Sequence, residues 1–161
     1  MCSALAAALL ACGCQSEVDL GGTYHVEANV LSAPCGNDQL AAMPPATLEL
    51  IPDDAFGFVY ARCTDDAAAA CETPNPYTDS FPEPIDGGWR GIVTTAGGAT
   101  TCSLIYTAQT ATLHGERLVI DIETHREDIP AAMVSCAPDE AARRGTSMPC
   151  AEHERIEATR Q

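Results

Sequence analysis

The sequence predicts an all-β domain, an antiparallel β-barrel or sandwich of about 7–8 short strands. It is stapled by disulfides, carries one long loop and holds little helix. Three observations lead there. Short segments alternate apolar and polar residues with period two, and Gly, Pro, Asn and Asp cut them apart. Nine cysteines in 161 residues, none of them in a C-x-x-C pair, suit widely spaced disulfides better than a zinc ribbon. An apolar share of 46% is enough to bury one core.

The elements follow in order. In TYHVEANVL, residues 23–31, Tyr24, Val26, Ala28 and Val30 alternate with polar side chains, the mark of a half-buried strand. SAPCGND supplies turn chemistry. ATLELI is a second strand, stopped at Pro52-Asp53-Asp54. AFGFVYARC is a third, with Phe56, Phe58 and Tyr60 on one face. Residues 64–88 read as a long irregular loop holding Pro74, Pro76, Pro82 and Pro84, which Cys71 is placed to pin. GGWRGIVTT is a strand entered through two glycines. CSLIYTA places Cys102, Leu104, Tyr106 and Ala108 on one face. TATLHGERLVIDIETH is a hairpin turning at His114-Gly115-Glu116-Arg117. PDEAARR is a short helix, with Pro138 to start it and Gly145 to end it. CAEHERIEATR is a polar edge strand or a second short helix. Successive strands lie close in sequence, which favours up-and-down order.

Cysteines Cys35, Cys63, Cys71, Cys102, Cys136 and Cys150 are the disulfide candidates. Six cysteines allow 15 pairings, and sequence does not choose among them. Proximity along the chain points to Cys63 with Cys71 and Cys136 with Cys150, which leaves Cys35 with Cys102.

The formal charge is −15, from 23 acidic and eight basic side chains. All eight are arginine, and the first is Arg62. Such a chain is repelled by phosphate backbones and anionic headgroups, so no nucleic-acid partner is expected.

No assembled reaction chemistry is visible, and no cofactor, metal site or catalytic residue is expected. G-x-S-x-G and the P-loop are absent, and without lysine there is neither a P-loop lysine nor a Schiff base. HERIE, residues 153–157, is one residue short of a zinc-protease motif, because Glu157 stands where the second His belongs. Asp121, Glu123 and His125 share one strand face, and His25 and Glu27 have the same alternation. Together they outline a cation cluster, which competes with the simpler reading of a solvated outer face. Trp89, the one tryptophan, is expected in the core rather than stacked on a ligand.

The N-terminus supplies an address. ALAAALLA, residues 4–11, is too short to span a bilayer and has the length of a signal-peptide core, although no basic residue precedes it. Leu9-Leu10-Ala11-Cys12 resembles the lipobox of bacterial lipoproteins. The resemblance implies a signal peptide over 1–11, cleavage before Cys12, diacylglycerol on its sulfur, a lipidated tether over 12–21 and a single β domain over 22–161. Ala11-Cys12-Gly13-Cys14 fits the motif less well, yet Cys14 as the anchor would leave six cysteines for three bridges, whereas Cys12 leaves Cys14 over. Gly13 is not the acidic residue that retains some lipoproteins at the inner membrane, which points to the outer membrane of a Gram-negative cell envelope. Gly22-Thr23-Tyr24 resembles the Gly-x-Trp start of lipocalins, with Tyr24 in place of tryptophan and no second lipocalin motif. As a whole the chain resembles small Gram-negative envelope lipoproteins with cysteine-stapled β domains, a resemblance that implies no activity. The expectation is a non-enzymatic, membrane-anchored protein that serves structure or contacts an envelope protein partner. The alternative is a lipocalin-like binder of a small apolar ligand, in an interior lined by Tyr24, Val26, Leu104, Tyr106 and Ile120.

Overall fold

A computed structural model describes residues 17–41 and 43–161. Ten strands form one antiparallel sheet: β1 (Gly22–Ser32), β2 (Asp38–Leu40), β3 (Thr47–Asp53), β4 (Gly57–Cys63), β5 (Ser80–Phe81), β6 (Glu83–Ile85), β7 (Gly88–Gly97), β8 (Thr101–His114), β9 (Arg117–Pro130) and β10 (Cys150–Arg160). The helix α1 spans Pro138–Arg144. Strand order is β5-β4-β3-β1-β10-β9-β8-β7-β6, and β2 pairs the far end of β1. The last long strand lies beside the first, so an up-and-down meander curls into a nearly closed barrel.

Ten strands replace the expected 7–8, because β2, β5 and β6 are two or three residues long and carry no readable period. Two of them lie inside the stretch expected as loop 64–88. CAEHERIEATR is neither helix nor edge: β10 sits between β1 and β9 and has neighbours on both sides.

The barrel interior is filled by side chains. Tyr24, Leu48, Leu50, Phe58, Tyr60, Phe81, Trp89, Leu118, Ile120 and Ile156 form its core, and Leu20 plugs the end where the chain enters. The Trp89 indole N–H donates to Val18 O at 2.7 Å, which fixes the entering chain against the core. Tyr24 is fully buried, donates its hydroxyl to Leu20 O, and accepts from Arg160, whose guanidinium lies over its ring.

The seam between β5 and β7 has no ladder. Gly91 on β7 lets the Ser80 carbonyl approach to where a Cβ would lie only 2.2 Å away. Gln109, buried on β8, reaches across and donates to Thr78 O and Ser80 O at 3.0 and 2.6 Å. One amide thus satisfies carbonyls that lack a strand partner.

A second, smaller core lies outside the barrel. There α1 covers β7–β9 with Ala141 over Cys102 and Leu104, joined by Tyr106, Ile129 and Met148. Pro138 opens α1, acids occupy its first turn and arginines its last, and Gly145 ends it at φ 49°. The face of β8 that carries Leu104 and Tyr106 therefore points away from the barrel interior, contrary to the expected ligand lining.

Three disulfides close the structure: Cys35–Cys150, Cys63–Cys71 and Cys102–Cys136. The expected Cys63–Cys71 pair holds. Cys136 and Cys150 are not partners, and neither are Cys35 and Cys102. The barrel brings the end of β1 to the start of β10, and the segment after β9 folds back over β8. Spatial neighbours thus override proximity in sequence.

Candidate functional site: the open end of the barrel

The hairpin turns β3–β4, β6–β7 and β8–β9 all lie at the end where the chain enters, as does the C-terminus. The opposite end is open, and polar groups meet there. Phe58, Tyr60 and Arg62 alternate into the barrel along β4. Arg62 crosses to Glu154 on β10 and donates twice, both at 2.7 Å. The Asn29 amide N–H donates to the same carboxylate at 2.9 Å, which fixes the orientation of that amide. The pair is largely withdrawn from solvent, with Arg62 29% and Glu154 14% exposed. Asn29 is 5% exposed, and its Oδ1 is buried without a protein partner.

Asn29 arrives through an irregularity. A bulge between Val26 and Ala28 shifts the β1 register, so Asn29 turns inward opposite Ile156. The strict alternation that would have placed Ala28 and Val30 beside Tyr24 and Val26 ends at this bulge. No residue type in the sequence announces it. Arg62 is missed by the sequence reading too, although extending the Phe58–Tyr60 alternation by one step would have put it on the inner face.

Electrostatics follow from burial and pairing. Burial would raise the Glu154 carboxyl, but the Arg62 hydrogen bonds and charge, aided by Asn29, outweigh it and hold the group below its usual value. The bond to Glu154 in turn raises Arg62 further. Burial pushes Tyr60 up to about 12 despite the neighbouring Arg62 guanidinium. This end of the barrel therefore carries a locked ion pair above a neutral phenol.

Around it lies an apolar rim. The end of β2 exposes Leu40 (78%) and the segment after it exposes Met43 (92%), with Pro44 and Pro45 beside them. An open groove of about 510 Å³ runs between Met43, Pro44, Pro45 and the Arg62–Cys63–Thr64 stretch, with Glu72 at its edge. A second groove of about 200 Å³ lies across Pro44, along Val26–Asn29 and Leu40–Ala41.

The residues singled out for chemistry are dispersed. His25 meets Asp66 at 3.3 Å, and Thr159 donates to Glu27. Both are separated from β9 by β10, so they do not join Asp121, Glu123 and His125. On β9 the outer face is only partly solvated. His125 is 4% exposed beneath Met148, with Nδ1 donating to Met148 O at 2.9 Å and Nε2 2.7 Å from Glu123. That second contact is close but poorly aligned for a hydrogen bond. Cys150 lies within reach of both groups, yet its sulfur is tied to Cys35 and offers no thiolate. HERIE is extended in β10: His153 contacts Asp121, while Glu157 accepts from Arg117 and Arg155. Cys12 and Cys14 lie outside the described residues.

No protein-family model matches the chain, and neither a curated protein nor a solved structure matches it.

Proposed function

We propose that the chain is a lipid-anchored envelope protein, tethered through Cys12 to the outer membrane, whose barrel offers its apolar rim to a protein partner. The reading is non-catalytic. The observation that carries it is the exposure of Leu40 and Met43 at the end of the barrel opposite the entering chain. Large apolar side chains gathered on a strongly acidic surface mark an interaction site more often than an accident of packing. An anchor at the N-terminus leaves that rim facing away from the bilayer. Each of the eight arginines is engaged by a carboxylate or by Tyr24, so the surplus charge is negative and the complementary partner is basic.

Two arms test this reading. A Cys12→Ser chain is expected to leave the membrane fraction, and a photo-crosslinker at Met43 in intact cells to give one discrete basic adduct. A crosslinker at Glu116, at the other end, is expected to give none. A C12S chain that stays membrane-bound, or equal labelling from both ends, contradicts the reading.

A second reading, binding of a small apolar ligand, draws on the 510 Å³ groove walled by Met43, Pro44 and Pro45. Such a ligand would sit under the rim, because side chains occupy the barrel interior.

A further inference from the structure

We propose that the Cys63–Cys71 bridge is a site of thiol–disulfide exchange with an external dithiol, whereas Cys35–Cys150 and Cys102–Cys136 are structural. The proposal does not depend on the anchor or on the rim's partner.

Three features separate this bridge from the other two. First, it is a cross-strand bridge. Cys63 and Cys71 stand directly opposite each other in an isolated antiparallel pair. The flanking bonds are Thr64 N to Ala70 O at 3.0 Å and Glu72 N to Arg62 O at 2.8 Å. They make it a non-hydrogen-bonded pair, the closer of the two antiparallel spacings. Its Cα atoms are 3.9 Å apart, against 5.7 and 5.6 Å in the others. Unconstrained disulfides hold their Cα atoms about 4.4–6.8 Å apart, and bridges outside that range are more reducible.

Second, the closed loop turns through Ala68 at φ 52°, a left-handed conformation that an alanine adopts at a cost. Third, the bridge spans eight residues, against 34 and 115 for the others, so it restricts the unfolded chain least. The β3–β4 ladder and the inward Phe58 and Tyr60 hold β4 without it. Attack is directed to one sulfur, since Cys63 is fully buried and Cys71 is half-buried, an asymmetry shared by Cys102 and Cys136.

The exchange has a defined direction. A thiolate of the dithiol attacks the Cys71 sulfur, the Cys63–Cys71 bond breaks, and Cys63 departs as a thiolate that takes up a proton. The second thiolate of the dithiol then attacks its own sulfur in the mixed disulfide and releases Cys71, which is also protonated. Two electrons pass to the bridge, and the dithiol becomes a disulfide. The Glu49 carboxylate, 4.0 Å from the Cys71 sulfur, disfavours a thiolate on Cys71. A monothiol attacking here therefore leaves a mixed disulfide on Cys71, and a dithiol completes the reaction.

The test equilibrates the folded, oxidised protein in dithiothreitol buffers of graded potential, followed by acid quench, alkylation and peptide mass mapping. Cys63 and Cys71 are expected to label together with a reduction constant at least a hundredfold larger than either other bridge. The fluorescence of Trp89 in the barrel core is expected to stay unchanged through that step. Glutathione alone is expected to leave its adduct on Cys71. Reduction of all three bridges in one step, loss of the Trp89 signal with the first bridge, or an adduct confined to Cys63 would each overturn the proposal.

Discussion

Glu154 shows how much one side chain can carry. It accepts from Arg62 and Asn29, three strands converge on it, and both ions are largely withdrawn from water. Glu154→Gln leaves Arg62 without its counter-ion and is expected to cost about 3 kcal/mol in urea unfolding. Replacing both partners by apolar residues, Arg62→Met with Glu154→Leu, is expected to recover most of that loss. A single variant that unfolds like the parent would mean the pair is solvated. The same group sets an acid limit. Its carboxyl titrates below the unfolded reference of 4.5, so its contribution is complete above that pH and fades as pH falls through the folded value. Tyr60 sets the alkaline limit with the opposite sign. Its phenol is held neutral up to about 12, so stability falls as pH rises past 10.0, where the unfolded chain ionises. Thermal melts across pH should show both shoulders, and E154Q should shrink the acid one, to which Asp128, Glu140 and Glu157 also contribute. This centre was not picked out from the sequence, although half of it carried a readable signal. Arg62 continues an apolar alternation, whereas Asn29 reaches the interior only because a bulge changes the parity of β1.

The element that decides closure is the β5–β7 seam, where a side-chain amide replaces a ladder. Gln109→Leu keeps the volume roughly but strands the Thr78 and Ser80 carbonyls, at a cost of about 1–3 kcal/mol. Gly91→Ala forces a methyl group against Ser80 O and is expected to cost a similar amount through overpacking. Hydrogen exchange should localise the damage, with amides of residues 80–92 losing protection before the β8–β9 hairpin does. Uniform loss across the barrel would show that the seam is no weaker than the ladders. Elements with a strong local signal were legible. The β8–β9 hairpin turns where His114-Gly115-Glu116-Arg117 directs it, and α1 runs from its proline to its glycine. Short strands were not, since two or three residues carry no period and β5 and β6 sit among prolines. The fate of β10 was undetermined for another reason: its outer face is charged because Asp121 and Arg117 on β9 pair with Arg155 and Glu157 there, so a central strand reads as polar.

Across the whole molecule, the fold class was readable from alternation and cysteine density, but of the disulfide pairing only the local Cys63–Cys71 bridge was. Pairing depends on which strand ends the barrel brings together, and β1 meets β10 only once the meander closes. The Cys35–Cys150 bridge ties that closure across 115 residues, so Cys35→Ala with Cys150→Ala is expected to lose about 4–5 kcal/mol, far more than removal of the eight-residue bridge. The described bridges consume six of the nine cysteines and leave Cys2, Cys12 and Cys14, of which Cys2 lies in the proposed signal peptide. One measurement joins these statements: non-reducing peptide mass mapping of the mature protein extracted from its own membranes, with free thiols alkylated. The expected result is diacylglycerol on Cys12, alkylation only at Cys14, and linked peptides Cys35–Cys150, Cys63–Cys71 and Cys102–Cys136. An uncleaved N-terminus without acyl mass, or a Cys136–Cys150 link, would contradict the account.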